Sequence, residues 1–110
     1  MTMGLFTLPS IKQLRDEAEQ IGRLHGMQHL GQISQDDLDS VIDSEHFRSK
    51  LREAYDAACA DVGEAKALKE AVKTARMFAE IVADVGGSRF YGHVPSAAER
   101  SVRMMLGLLG

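Results

Sequence analysis

The sequence predicts an all-α protein, a single domain folded as a compact bundle of four to five helices. Apolar residues recur at helical spacing along most of the 110 residues. Residue pairs with the spacing of helix caps stand where several of these apolar stripes begin. Alternation typical of strands is almost absent, and only residues 88–94 have any extended character. An apolar fraction of 45% with 26% charged residues is that of an ordinary globular domain.

Caps and glycines place the individual helices. An N-terminal arm, residues 1–9, leads to the capping residue Ser10, and Gly31 follows the first helix. The last helix is expected to begin after Ser96, which with Glu99 has the spacing of a capping box. The predicted helices span residues 11–30, 35–43, 45–62, 64–85 and 97–109.

Charge, cysteine content and hydropathy exclude several classes of protein. A net charge of −3 argues against broad binding to nucleic acid, which needs an excess of Lys and Arg. A helix-turn-helix protein stays an alternative, since residues 20–39 read as helix, Gly31 and helix, although the second helix is acidic. The single Cys59 cannot form an intramolecular disulfide. No apolar run reaches the ~20 residues that span a bilayer, and residues 1–10 lack a signal-peptide pattern. We therefore expect a reduced, cytoplasmic protein without a membrane partner.

An acidic cluster lies around the second predicted helix. Because these carboxylates stand near the N-terminal ends of two short helices, the favoured interpretation is that they stabilise the helix dipoles. The alternative is an acidic patch that steers a basic partner. The residues concerned are Asp36, Asp37, Asp39, Asp43 and Glu45.

His25 and His29 are four residues apart and project from one face of the first predicted helix. Two imidazoles at this spacing can bind one zinc ion, with a third ligand from His46, His93 or an acid. No HExxH arrangement accompanies them, and the same face carries apolar residues, so histidines that pack in the core or at an interface are favoured. We expect no cofactor, while a metal-binding or catalytic domain that uses this pair stays an alternative.

Gly22 and Gly26 lie on the same helix, one turn apart. Each costs about 1 kcal/mol relative to Ala inside a helix. We expect them to allow the close approach of another helix, from this chain or a second copy.

The loop that follows Gly86 concentrates flexible and reactive residues. As an enzyme site it would offer Arg89 for an anion and His93 as a base. The favoured interpretation is a helix end and a turn whose two aromatics, Phe90 and Tyr91, pack back on the core. The alternative is an exposed aromatic pair that anchors a partner.

The last predicted helix has more apolar surface than docking on a bundle requires. Its main apolar stripe covers about 100°, and Met104 and Leu108 widen the arc to roughly 200°. The fourth helix is similarly broad, with Ile81 and Val85 outside its main stripe. Large exposed apolar patches are uncommon on monomers, so we expect this surface to bind protein. The predicted partner-binding residues are Phe90, Tyr91, Val102, Met104, Met105, Leu108 and Leu109.

These patterns together predict a small non-enzymatic protein–protein interaction module, a homodimer that also binds a protein partner of unknown identity. A regulator or inhibitor that occupies an interface of its partner fits a small acidic domain of this kind. A repressor of a transcription activator (an antiactivator) is one example. That class follows from what small proteins of this composition commonly do, and no single residue specifies it.

Overall fold

The computed structural model describes residues 8–85 and 90–109, and within them the chain forms five α-helices and no strand. The predicted all-α bundle is confirmed. The helices are α1 (Pro9–His29), α2 (Gln35–Ile42), α3 (Glu45–Val62), α4 (Glu64–Val85) and α5 (His93–Met105).

α1 and α4 form the central pair of the bundle and run parallel to each other. Near the start of both helices, Arg15 Nη2 donates to Glu70 Oε1 at 3.1 Å. Near their ends, Gly26 faces the side chain of Val82. α3 and α5 run in the opposite direction, because the end of α3 meets the start of α1 and the start of α5 meets the end of α1. α1 contacts each of the other four helices.

Gly22 and Gly26 let the backbone of α1 approach that of α4. A Cβ atom on Gly22 would overlap the carbonyl oxygen of Ala75 and lie 2.9 Å from the backbone nitrogen of Ala79. A Cβ atom on Gly26 would lie 2.6 Å from the Cβ of Val82. The expectation of close helix approach is confirmed, and the neighbouring helix belongs to the same chain.

α4 meets the core with an alanine at every fourth position: Ala67, Ala71, Ala75, Ala79 and Ala83, all fully buried. The close approach of α1 leaves no volume for larger side chains on this face. The largest fully buried side chains come from the other four helices and the turn after α5: Leu14, Ile21, Leu38, Leu51, Val102 and Leu106. Leu68, Val72 and Val82, expected on the main stripe of α4, are only half-buried.

The predicted start of α1 at residue 11 is wrong by two residues. Leu8 is the N-cap and Pro9 begins the helix, since a proline at the first helical position has no N–H group to leave unpaired. Ser10 does not cap α1. Its hydroxyl donates instead to a carboxylate oxygen of Asp61 at the end of α3.

The predicted helix over 97–109 is displaced towards the N-terminus. α5 begins at His93, so Ser96 lies inside its first turn rather than at the cap. Glu99 cannot complete a capping box with Ser96, because Ser96 is not the N-cap, and its carboxylate instead accepts hydrogen bonds from Arg76 and Arg103. The helix ends at Met105 because Gly107 takes a φ of +71°, a left-handed conformation that ends helices.

The remaining boundaries agree closely with the predictions. α3 and α4 span the predicted residues, and α1 and α2 each end one residue early. Ser34 caps α2 through a reciprocal capping box with Asp37.

Candidate functional site: a histidine cluster and an apolar groove

Three histidines meet where the end of α1 faces the start of α5. His25 Nε2 lies 2.7 Å from Ser101 Oγ, a hydrogen bond that joins the two helices. The rings of His29 and His93 meet edge to face, with centroids 5.4 Å apart. His25 and His29 therefore pack at a helix–helix interface, as the favoured interpretation of the sequence predicted.

The metal alternative lacks a ligand set. Within residues 8–85 and 90–109, no three His, Cys, Asp or Glu side chains are placed to hold one metal ion. The Nε2 atom of His25 is hydrogen-bonded to Ser101, so it is not free to bind a metal ion. His46, considered as a third ligand, lies exposed on α3.

Burial controls the protonation of His25. Desolvation lowers the pKa of its imidazole below the ordinary value of 6.5, and the nearby carboxylate of Asp39 opposes this effect. The ring is therefore neutral at neutral pH. In that form it can hydrogen-bond with the Ser101 hydroxyl in either direction, as donor or acceptor.

A cavity of about 460 Å³ opens beside this hydrogen bond. Asp39, Ser96 and Arg100 contribute polar groups to its lining. A serine within hydrogen-bond distance of a neutral histidine resembles a nucleophile–base pair. Ser101, however, is 8% exposed and lies within α5. Backbone N–H groups in the middle of a helix are already bonded to the preceding turn, so they cannot stabilise an oxyanion. The pair functions as a tie between helices.

The structure buries two of the predicted partner-binding residues. Val102 is fully buried and Met105 is 7% exposed, since this side of α5 covers the core. Their assignment as surface anchors was wrong. Met104, Leu108 and Leu109 are 40%, 38% and 49% exposed.

The exposed members of that set do not form one surface. Tyr91 packs against the core as expected, whereas Phe90 is 83% exposed, so the expectation that both aromatics pack on the core is wrong for Phe90. Both precede α5, whereas the exposed residues near the C-terminus lie in its last turns or follow it. The 13 residues of α5 separate the two groups by about 20 Å. Arg89 lies outside the described residues, as do residues 1–7 of the predicted N-terminal arm.

Asp36, Asp37, Asp39, Asp43 and Glu45 are all exposed. Most have local roles that match the favoured interpretation of the sequence. Asp36 and Asp37 lie in the first turn of α2, and Glu45 lies in the first turn of α3. Asp43 pairs with Arg48 at 3.1 Å. These positions favour the helix N-terminal dipoles.

Sequence reasoning missed the groove between the carboxyl ends of α1 and α4. Its volume is about 310 Å³, at the small end of ligand cavities and suited to one or two aliphatic side chains. Its lining residues are Arg23, Met27, Leu30, Gln32, Ile81, Val82 and Val85. Ile81 is 47% and Val85 80% exposed. The only signal in the sequence was the position of these two residues outside the main stripe of α4.

Among the described residues of the groove lining, Arg23 is the charged one, and its charge is already compensated. Its Nε atom lies 2.7 Å from Glu19 Oε2, and its guanidinium lies 5.0 Å from the ring centroid of Phe78. At this distance the guanidinium is attracted to the face of the aromatic ring. The groove therefore presents mainly uncharged, apolar surface.

Comparison of the chain with protein-family models, with curated proteins and with solved structures finds no match in any of the three. In the described part of the chain, every helix is too short or too polar to cross a membrane.

Proposed function

We propose that this chain is a helical protein–protein interaction module that regulates or inhibits a protein partner by occupying one of its interfaces. The partner inserts apolar side chains of an amphipathic helix into the groove between α1 and α4. The protein acts in the cytoplasm, forms a homodimer and has no enzymatic activity of its own.

The groove is the observation that carries this proposal. The inner face of α4 is built from alanines, while Ile81 and Val85 remain on its outer side beside Met27 and Leu30. Exposed aliphatic side chains gathered in a groove are typical of surfaces that bind protein. A groove of about 310 Å³ suits side chains better than a cofactor.

The character of the lining supports a helix as the occupant. An apolar helix presents anchors at helical spacing, and two of them one turn apart can enter a groove of this size together. The uncharged lining favours aliphatic anchors, because a charged side chain placed there would lose its hydration without gaining a counter-charge. The charge of Arg23, paired with Glu19, remains at the rim.

A regulator that acts by occupancy needs no reactive group, and the surroundings of Ser101 support a role without catalysis. The serine is 8% exposed, and its hydroxyl is hydrogen-bonded to His25. Cys59 is a free, half-buried thiol, as suits a reducing compartment.

The affinity of the Ile81→Glu variant for the partner tests whether the groove is the binding site. Immobilised wild-type protein is used to isolate a binding protein from the source cells, and the purified partner is then titrated by calorimetry. We expect the substitution to weaken binding at least tenfold, which corresponds to about 1.4 kcal/mol, because the new carboxylate is desolvated in the groove. Circular dichroism should remain that of wild type, since Ile81 is half exposed.

Ala57→Glu is the matched control, because it adds the same charge at an exposed position of α3. It should bind with the wild-type dissociation constant. Equal affinity of the Ile81 and Ala57 variants would show that the groove is not the binding site. Failure of any protein to bind the wild type stoichiometrically would overturn the proposed function itself.

A further inference from the structure

The outward face of α4 carries its charges in two separate blocks. Lys69 and Lys73 lie in the first half of the helix, and Glu80 and Asp84 lie in the second half. All four are exposed. Met77, 44% exposed, lies between the blocks. Arg76 also lies between the blocks, and its guanidinium is paired with Glu99 of α5 at 2.8 Å. One face of the helix is thus basic at one end and acidic at the other, with Met77 and a charge-compensated arginine between them.

This order opposes the dipole of the helix. Carboxylates are favourable near a helix N-terminus and cations near its C-terminus. On its outward face α4 has Lys66 in its first turn and Asp84 in its last, although Glu64 in the first turn is favourably placed. The outward charges therefore gain little from their own helix, whereas a helix that runs in the opposite direction would place a favourable charge beside each of them.

The four charged side chains of the two blocks form no ion pair with one another or with the rest of the described residues. Lys73 lies near Glu70, whose carboxylate is already paired with Arg15. None of the ion pairs formed among residues 8–85 and 90–109 includes Lys69, Lys73, Glu80 or Asp84. The hydroxyl of Tyr91 lies near the two carboxylates, and the negative charge of Asp84 raises the pKa of that hydroxyl. A phenol is neutral, so Tyr91 does not neutralise the acidic block.

We propose that α4 pairs antiparallel with α4 of a second copy of the chain, about a two-fold axis near Met77. Lys73 and Glu80 lie on either side of a midpoint at residues 76–77, each about 5 Å along the helix from it. Lys69 and Asp84 lie about 11 Å from the same midpoint. The two-fold axis brings each lysine to the carboxylate of the second copy and places the two Met77 side chains together. An isologous contact of this kind closes as a dimer.

The surfaces on both sides of α4 provide the interface area that a single helix face lacks. A stable dimer buries about 800 Å² per partner, roughly one-eighth of the 6660 Å² surface of this chain. Two open grooves flank the outward face, one of about 690 Å³ along α1 and one of about 540 Å³ along α5. Side chains of a second α4 can enter both, so the interface extends beyond a single helix face. This inference rests on the homodimer of the proposed function and assigns its surface.

Charge reversal tests the pairing by light scattering on the full-length protein. The acidic variant carries Lys69→Glu and Lys73→Glu, and the basic variant carries Glu80→Lys and Asp84→Lys. Either set of changes replaces attraction by repulsion across the two-fold axis. We expect a dimeric wild type and an increase of about 100-fold in the dissociation constant of each variant, with unchanged circular dichroism. Lys50→Glu, exposed on α3, is the control and should remain dimeric.

Mixing the two variants separates lost pairing from lost folding. A face of four acids meets a face of four lysines, so a one-to-one mixture should recover the wild-type mass. Register is tested in a Cys59→Ser background with Lys69→Cys and Asp84→Cys. In an antiparallel pair, position 69 of one copy lies opposite position 84 of the other. The Lys69→Cys chain should therefore form a disulfide with the Asp84→Cys chain, and neither should form one with a copy of itself. A parallel pair would give the self-linked products instead.

Each contrary outcome identifies what fails. A wild-type dimer that charge reversal leaves intact overturns the assignment to α4 and leaves the homodimer standing. A monomeric wild type at the highest soluble concentration overturns both. Partner binding through the groove, measured with Ile81→Glu, is decided separately from either result.

Discussion

α1 packs against α4 and α5 by two different means. On the side of α4, Gly22 and Gly26 remove side-chain volume so that the two backbones meet. On the side of α5, His25 bonds to Ser101 and His29 packs on His93. We call these contacts the glycine seam and the histidine seam. The glycine seam depends on shape alone, whereas the histidine seam depends on hydrogen bonding and on the charge of a buried ring.

Packing at the glycine seam is therefore fixed by shape, whereas packing at the histidine seam depends on the protonation state of a histidine. Overlap with backbone atoms cannot be relieved by rotating a side chain, so the glycine seam tolerates almost no change. An imidazole can change protonation near pH 6.5, so the histidine seam responds to conditions that leave the glycine seam unaffected. Substitutions in each seam, a substitution at a buried residue of α1 outside both, and a change of pH should separate the two, with effects that decrease in that order from Gly22 to His25.

Gly22→Ala should have the largest effect. The added methyl group overlaps the carbonyl oxygen of Ala75, so α1 and α4 must move apart. We expect a loss of about 3 kcal/mol in the free energy of unfolding, measured by urea denaturation. Gly92→Ala is the control, since nothing lies within 4 Å of its Cβ position, and it should change stability by less than about 0.5 kcal/mol. Similar stability of the two variants would contradict the glycine seam.

Ser101→Ala should weaken the histidine seam without displacing a helix. It leaves Nε2 of the half-buried His25 without its hydrogen-bond partner. We expect a loss of about 1–2 kcal/mol, again from urea denaturation. Ser96→Ala, at an exposed position of the same helix, should be neutral. A neutral Ser101→Ala would mean that the hydrogen bond contributes nothing to α1–α5 packing.

Glu17 lies on α1 outside both seams. It is 6% exposed, and its Oε1 atom has no hydrogen-bond partner in the described part of the chain. Replacing an unsatisfied buried carboxylate by an apolar side chain of similar size removes a desolvation cost. Glu17→Met should therefore raise the free energy of unfolding by about 1 kcal/mol. The exposed Glu53→Met should give no gain, and destabilisation by Glu17→Met would show that the carboxylate has a structural role.

Acidification through pH 6.5 should affect the histidine seam and leave the glycine seam unchanged, and this is the smallest effect. Because burial lowers the pKa of His25 below 6.5, the unfolded chain takes up a proton at a higher pH than the folded chain does. The contribution to stability is full above pH 6.5 and is lost as the pH falls through 6.5 towards the folded pKa. Unfolding curves at a series of pH values should show this loss in the wild type and not in His25→Gln. His46→Gln, at an exposed site, should retain it.

Local signals in the sequence predicted most of the fold. The ends of α3 and α4 are correct because Ser44 caps one helix and Gly63 separates the two. The start of α5 was wrong for a tertiary reason. Ser96 and Glu99 have the spacing of a capping box, but Arg76, distant in sequence, holds Glu99 in an ion pair at 2.8 Å.

Ranking residues by hydrophobicity failed on α4 for a related reason. Alanines fill its inner face because α1 approaches too closely for leucine, and that distance is set by two glycines in another helix. The same limit applies to the candidate site. The helical spacing of His25 and His29 was visible in the sequence, whereas Ser101, 76 residues away from His25, could be found only in the folded structure.

The pairing of α1 with α4 has a consequence for the order in which the chain folds. Arg15 of α1 and Glu70 of α4 are 55 residues apart. α4, the central partner of α1 in the bundle, is therefore synthesised long after α1. During synthesis the apolar face of α1 remains uncovered by α4 until α4 has been synthesised. α2 and α3, which are adjacent in sequence, can contact each other earlier. Contacts so distant in sequence slow folding and leave apolar surface open to association in the meantime. A nascent chain that stops before residue 64 should therefore bind chaperones more strongly than one that extends beyond residue 85.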